Sequence, residues 1–265
     1  TIPAQDIGST AFDWFLVTAD ADAVPGGIPC TITMVAGTNV YPYQEIENIS
    51  IDLTLSQSGF PLDGIVIKSS PIIADLDFNG HKEIYFGSDN NALHGYNAFG
   101  EELTGFPFQS TDRVRSSPAI GDVDNDGELE IVFGNSSGKL YVINQDGSQQ
   151  LAYTQLGFIE GSPALVDIDG DQDLEIVFTT TTGSGGQLYV IHHNGITESG
   201  FPIELGSMFV GPAVHDLDND GVVDVVCVTY DKEVYAVEAV GGAIKPGFPF
   251  TAESRFSMPA TIVDV

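Results

Sequence analysis

The sequence predicts an all-β chain made of many brief strands, and three observations carry that reading. Glycine (30) and proline (14) are plentiful, and Val, Ile, Thr, Tyr and Phe recur in short runs between them, the mixture expected of strands joined by tight turns. No segment keeps a helical apolar spacing over three turns. Most of the chain is one unit written four times, and such self-similarity fixes the architecture before any single element is assigned.

The four copies run from Ser70 to Gly87, Ser117 to Gly134, Ser162 to Phe178 and Gly211 to Val226. Each opens on Pro and a small apolar run, passes through an acidic loop and continues into an apolar strand. The first acids are Asp75, Asp122, Asp167 and Asp216, so the spacings are 47, 45 and 49 residues. A second apolar run follows each loop: Leu93–Tyr96, Leu140–Ile143, Leu188–Ile191 and Val234–Val237. Hairpin-type turns come next, as at Asp146-Gly147 and Asn194-Gly195. Three repeats close on Gly-Phe-Pro, at 105–107, 200–202 and 247–249; another copy at 59–61 precedes the first repeat, and the second repeat lacks it. Four strands in a period of 40–50 residues read as a β-propeller blade. A fifth unit begins at Met258-Pro259-Ala260 and reaches Asp264. The expectation is four blades plus the start of a fifth, as an open arc or a ring completed by further repeats or another chain.

Residues 1–58 do not share the repeat. Strand-like runs occur at Phe12–Thr18, at Cys30–Val35 and in the alternation Ile46, Ile49, Ile51, Leu53, Leu55, with a turn at Ala23–Gly27. The expected division is 1–58, the C-terminal part of a β-sandwich (Ig-like) domain, with an irregular N-terminal extension of the propeller as the alternative, and 59–265, the propeller repeats.

Hydrophobic content of 42% supports a packed core and argues against disorder. With 8 Lys+Arg against 38 Asp+Glu, the net charge is −30. Such a surface repels nucleic acid and anionic membranes, so neither is expected as a partner. No segment approaches the roughly 20 apolar residues needed to span a bilayer. Of the two cysteines, Cys30 and Cys227, the second lies in the run Val225–Val228 and reads as a buried free thiol.

The acidic loops share a grammar. In the second repeat, acids stand at positions 1, 3, 5 and 9 as Asp122, Asp124, Asp126 and Glu130, with the Glu128 carbonyl at position 7. Alternate residues of a tight loop can point at one centre, and a hard cation such as Ca²⁺ takes about six to eight oxygens in a flexible arrangement. Gly127 at position 6 allows the sharp turn. The closing acid at position 9 rather than 12, and strand-like flanks, set this loop apart from an EF-hand. Fifteen of the 38 acids stand at such positions, and so many carboxylates without a cation would repel one another. Mg²⁺ is disfavoured because it demands a smaller octahedral site.

These loops and flanks resemble the FG-GAP/VCBS repeats of integrin α-subunits and bacterial surface proteins. The resemblance implies calcium at about four sites, held by Asp75, Asp77, Asn79 and Glu83; Asp122, Asp124, Asp126 and Glu130; Asp167, Asp169, Asp171 and Glu175; and Asp216, Asp218, Asp220 and Asp224. Position 7 adds backbone carbonyls from His81, Glu128, Asp173 and Val222. Two departures stand out: Asn79 is neutral, and Gln172 replaces the turn glycine of the third loop. The first loop, with three carboxylates, is accordingly expected to bind most weakly.

No nucleophile elbow, zincin helix or phosphate loop occurs. His192-His193 read as solvated, and His215 as packed beside the fourth loop. The function expected is an extracellular, non-catalytic adhesion, recognition or scaffold module with a protein or carbohydrate ligand at a cell surface. The alternatives are an accessory domain of a secreted protease or polysaccharide-degrading enzyme and, more remotely, a catalytic propeller.

Overall fold

A computed structural model describes the backbone of residues 26–38, 41–53, 59–256 and 258–262, and the side chains of 59–256 and 258–262. The chain divides into Thr1–Gln57 and Ser58–Val265. In the first unit, β1 (Gly26–Thr38) pairs antiparallel with β2 (Tyr41–Leu53), from Gly26 opposite Leu53 to Thr38 opposite Tyr41. The expected strand Cys30–Val35 lies inside β1, and the alternation from Ile46 to Leu53 lies inside β2. Gly26 and Gly27, expected in a turn, instead open β1, where the ladder takes them up. The strand expected at Phe12–Thr18 lies outside the described residues, as do Leu55 and Asp264.

The second unit is four antiparallel sheets of four strands each. Blade one holds β3 (Ile72–Ala74), β4 (Glu83–Gly87), β5 (Ala92–Tyr96) and β6 (Phe108–Gln109). Blade two holds β7 (Ala119–Gly121), β8 (Glu130–Gly134), β9 (Lys139–Ile143) and β10 (Gln149–Thr154). Blade three holds β11 (Ala164–Val166), β12 (Glu175–Thr181), β13 (Gly186–Ile191) and β14 (Ile203–Leu205). Blade four holds β15 (Ala213–His215), β16 (Asp224–Val228), β17 (Glu233–Glu238) and β18 (Phe250–Thr251). Within each sheet the strands pair in chain order, as the repeat predicts. Blade two completes its sheet without a Gly-Phe-Pro, through a β10 that carries a bulge near Gln150. Met258–Ala260, expected to begin a fifth blade, forms no strand.

The second and third strands of blades one to three, and β16 of blade four, are buried on both faces, which is why they read as continuous apolar runs. Alternation then sends successive residues to opposite neighbours. Ile131, Phe133, Tyr141 and Ile143 join Tyr85, Leu93 and Phe106 in a cluster between blades one and two. Val132, Leu140 and Val142 face the other way and join Ile176, Phe178, Tyr189 and Ile191 of blade three. Val177, Leu188 and Val190 likewise meet Val225, Cys227 and Val237 of blade four. Cys227 is buried and free, as its sequence context predicts. Each such side chain contributes about 1.5–3 kcal/mol by leaving water. Among the described residues no hydrophobic cluster joins blade four to blade one, and no helix is long and apolar enough to cross a membrane.

The Gly-Phe-Pro turns link neighbours through backbone. Gly105 (φ +87°) closes blade one and lies against Asp146 and Gly147 in the outer hairpin turn of blade two; a Cβ there would collide with the Asp146 carbonyl. Gly59 meets Phe99 and Gly100 of blade one in the same way, and Gly200 meets Gly241 of blade four. Gly247, at the end of blade four, has open space at the corresponding place.

Candidate metal centres

Each acidic loop joins the first two strands of its blade, and ladder register fixes its mouth. The residue before position 1 pairs with position 9: Ala74 with Glu83, Gly121 with Glu130, Val166 with Glu175, and His215 with Asp224. Position 9 is buried in every loop, at 5%, 2%, 0% and 0% exposure respectively. Its outer oxygen accepts the N–H of position 2, from Leu76 (3.1 Å), Val123 (2.9 Å), Ile168 (3.0 Å) and Leu217 (3.0 Å). In the third loop its other oxygen meets His192 Nδ1 at 2.9 Å, and in the fourth Lys245 Nζ at 3.0 Å.

The remaining acids shape the turn. Position 1 accepts the position 6 N–H: Asp75 from Gly80 (2.9 Å), Asp122 from Gly127 (3.0 Å), Asp167 from Gln172 (3.2 Å) and Asp216 from Gly221 (2.9 Å). Position 5 accepts the position 7 N–H, from His81, Glu128, Asp173 and Val222. The loop enters the left-handed region twice, not once. Position 6 is left-handed at Gly80, Gly127, Gln172 and Gly221, and position 4 at Phe78 (φ 54°), Asn125 (φ 55°), Gly170 (φ 83°) and Asn219 (φ 59°). The third loop thus keeps its glycine at position 4 and strains Gln172 (φ 82°) at position 6. The sequence showed the need at position 6 only; the Asn residues at position 4, tolerant of this region, were the signal for the other.

Side-chain oxygens of positions 1, 3 and 9 lie within 4.8 Å of one another in the first loop (Asp75, Asp77, Glu83), the second (Asp122, Asp124, Glu130) and the fourth (Asp216, Asp218, Asp224). In the third, Asp167, Asp169 and Asp171 converge, and Glu175 groups with Asp169 and His192. Asp126 and Asp220 stand outside these groups, each with one oxygen accepting the position 7 N–H, while the Asn79 amide donates to Asp77 Oδ2.

Whether these donors suit a cation is answered by what they lack. Asp75 Oδ1, Asp124 Oδ1 and Asp224 Oδ1 are buried without a hydrogen-bond partner, and so is Asp173 Oδ1 in the third loop. An acceptor left in that state costs about 1–3 kcal/mol unless something positive reaches it. Burial, reinforced by Asp124, Asp126 and Asp122, pushes the Glu130 carboxyl up to about 7 against the pull of the Val123 N–H. Burial also raises Glu83 and Glu175. All-oxygen donor sets of this kind suit a hard cation of calcium's size.

The histidines depart from expectation. His192 is not solvated: its Nδ1 lies 2.9 Å from Glu175 Oε1 and its Nε2 3.0 Å from Glu198 Oε2. Burial works to lower its pKa, but the contacts to Glu198 and Glu175 outweigh it and leave it raised. His193 Nδ1 sits 2.7 Å from Asp173 Oδ2. His215 ends β15, paired with Asp224 at the mouth of the fourth loop, and is exposed there. Lys245, which sequence reasoning missed, reaches the fourth loop: its Nζ lies 2.9 Å from Asp218 Oδ2 and 3.0 Å from Asp224 Oδ1.

Fold and site together define a β-propeller-type protein with acidic loops between the first two strands of its blades. FG-GAP-like repeats match at residues 122–178 and 167–227, within a chain of propeller-like fold. Among solved structures it is similar to BBS1N, crystallised in complex with ARL6DN, at 12% identity and a TM-score of 0.54, over 75% of this chain and 59% of that one. The same protein from a mercury-soaked crystal gives 11% and 0.54, over 76% and 64%. BamB from Moraxella catarrhalis is similar at 18% identity and a TM-score of 0.44, over 66% of this chain and 48% of that one. The chain therefore spans about three-fifths of the BBS1N chains it matches. No curated protein matches in sequence.

Proposed function

We propose that the chain is an extracellular, calcium-stabilised recognition or scaffold module, its loops locked by Ca²⁺ so that the blades present a rigid face to a protein or carbohydrate ligand. One observation carries the metal part of this reading. Buried carboxylate oxygens converge in the loops, and Asp75 Oδ1 and Asp124 Oδ1 have no protein partner. Asp75, Asp77 and Glu83 would hold one ion, Asp122, Asp124 and Glu130 a second, and Asp167, Asp169 and Asp171 a third. Asn79, Asp126 and Glu175, and the carbonyls of His81, Glu128 and Asp173, would complete the shells. When bound, the cation supplies charge compensation and loop order rather than chemistry on a substrate. Extracellular calcium is plentiful enough to fill sites even of the weaker class, about 10⁻⁴–10⁻³ M.

Calorimetric titration of the chelator-treated chain with CaCl₂ tests the metal part, and arrays of glycans and matrix proteins probed with and without calcium test the recognition part. Binding of calcium and a calcium-dependent array signal are expected. A chain that takes up no calcium at millimolar concentration overturns the reading.

A further inference from the structure

The fourth loop has the same carboxylate triangle as the second, and Asp224 Oδ1, like Asp124 Oδ1, is buried without a hydrogen-bond partner, but here an ammonium stands 3.0 Å away. Lys245 is the one buried lysine or arginine among the described residues, at 8% exposure. Its ammonium lies 2.9 Å from Asp218 Oδ2, 3.0 Å from Asp224 Oδ1 and 3.6 Å from Asp220 Oδ2, and it donates to Asp224 Oδ2 at 3.1 Å. Asp218 and Asp224 are positions 3 and 9, so the ammonium stands between the acids that would grip an ion. A buried cation persists only when paired, and here the pairs are the metal donors themselves.

The placement is built into the backbone. Lys245 donates its N–H to Ala236 and accepts from Phe248, at the turn leading into Gly-Phe-Pro. Leu103 makes the same two bonds in blade one, to Gly95 and from Phe106. Glu198 makes them in blade three, to Val190 and from Phe201. One structural position thus carries Leu, Glu or Lys, and its side chain decides what the neighbouring loop meets. Beside the first loop, Leu103 leaves a cleft of about 380 Å³, lined also by Asp77 and Glu83. In blade three Glu198 holds His192 against Glu175. In blade four the corresponding side chain enters the loop.

We propose that Lys245 is a tethered substitute for the fourth calcium ion, so that the chain binds three calcium ions rather than four and blade four keeps its loop without metal. The proposal rests on the calcium reading of the other loops. It reverses the order expected from carboxylate counts, in which the fourth loop ranks among the best endowed: a tethered cation has an effective concentration that a free ion must outcompete.

The test is the calcium stoichiometry of three chains, by equilibrium dialysis with calorimetry. The wild type should bind three ions, Lys245→Leu four, and Leu103→Lys two. In chelator Lys245→Leu should melt lower than wild type, and calcium should restore it. Leucine is what blade one carries at this position, and Leu103→Lys provides a second readout should Lys245→Leu fold poorly. Four ions in the wild type overturn the proposal and leave the calcium reading standing. Three ions in both wild type and Lys245→Leu, or in Leu103→Lys, also overturn it. If the wild type binds none while Lys245→Leu binds one, Lys245 still excludes calcium from the fourth loop, but the count of three and the reading of the first three loops fall. If neither binds any, both fall.

Discussion

The second and fourth loops are nearly the same peptide. Asp122-Val-Asp-Asn-Asp-Gly and Asp216-Leu-Asp-Asn-Asp-Gly differ by one apolar exchange, and their left-handed residues, Asn125 with Gly127 and Asn219 with Gly221, fall at the same places. Asp124 and Asp224 each keep a buried oxygen without a hydrogen bond, yet only the fourth loop sets an ammonium against its acids, Asp218 and Asp224. The difference comes from outside the loop, 21 residues beyond Asp224 in sequence. In blade two the side chain arriving from the same side is Gln150, whose amide donates to Asp124 Oδ2. A loop's grammar therefore sets its shape and its acids, and a residue on the fourth strand's approach sets what neutralises them.

That contrast can be broken first by removing calcium. With free calcium at a hundred times the dissociation constant, an occupied loop gains about 2.7 kcal/mol. Chelation should therefore speed amide exchange around Val123–Glu130 by roughly a hundredfold through this linkage, and leave Leu217–Asp224 unchanged. Hydrogen exchange followed by mass spectrometry separates the two peptides, and equal acceleration in both would erase the difference.

Acidity gives the next largest effect. Glu130 titrates near 4.5 unfolded and about 7 folded. Between those values the folded, calcium-free chain holds a proton that the unfolded chain has lost. Stability in chelator should therefore fall as pH rises from about 4.5 to 7, by on the order of 3 kcal/mol for this group. Glu83 and Glu175, also raised by burial, act in the same direction. Melting temperature against pH should show the fall in wild type and a flatter profile in Glu130→Gln. Below pH 7, calcium must displace that proton, so its affinity for the second loop should weaken on acidification.

Single alanines sharpen the comparison further. Asp124→Ala should remove one calcium from the titration. Asp218→Ala should leave the calcium count unchanged and lower the melting temperature by a few degrees equally in calcium and in chelator. The smallest effect belongs to the third loop: Gln172→Gly relieves a left-handed glutamine and should stabilise the chain by at most about 1 kcal/mol, offset in part by glycine's greater freedom when unfolded. Chemical denaturation resolves a change of that size.

Blades were legible because their information is local and repeated. Glu130-Ile-Val-Phe is a strand buried on both faces, and the Pro-Ala-Ile before it is the strand that pairs with it. The acids at positions 1, 3 and 9 were legible for the same reason. What escaped was carried by contacts distant in sequence. Lys245 lies in an ordinary turn, and nothing beside it says that its side chain crosses to the loop between β15 and β16. His192 precedes a hairpin and reads as solvated until Glu175 and Glu198 close on either side. Position 4 escaped because Phe78 occupies it in the first loop, where a left-handed backbone is not what an aromatic residue suggests.

The glycine contacts between blades give the array a polarity. Gly105 and Gly200 each present a closing turn, and the next blade answers with an outer hairpin turn at Gly147 or Gly241. The two halves of this joint are different surfaces, so it is heterologous: it propagates head to tail and cannot pair two identical faces across a twofold axis. Where the second repeat lacks Gly-Phe-Pro, the hairpin glycine Gly195 meets the Leu151 side chain instead, so the joint between blades two and three is made by side-chain packing. A blade moved into that place from elsewhere in the array would bring the wrong half of the joint. The order of the blades is thus written partly in which turns carry glycine, and Gly247 displays the donor half with its face open.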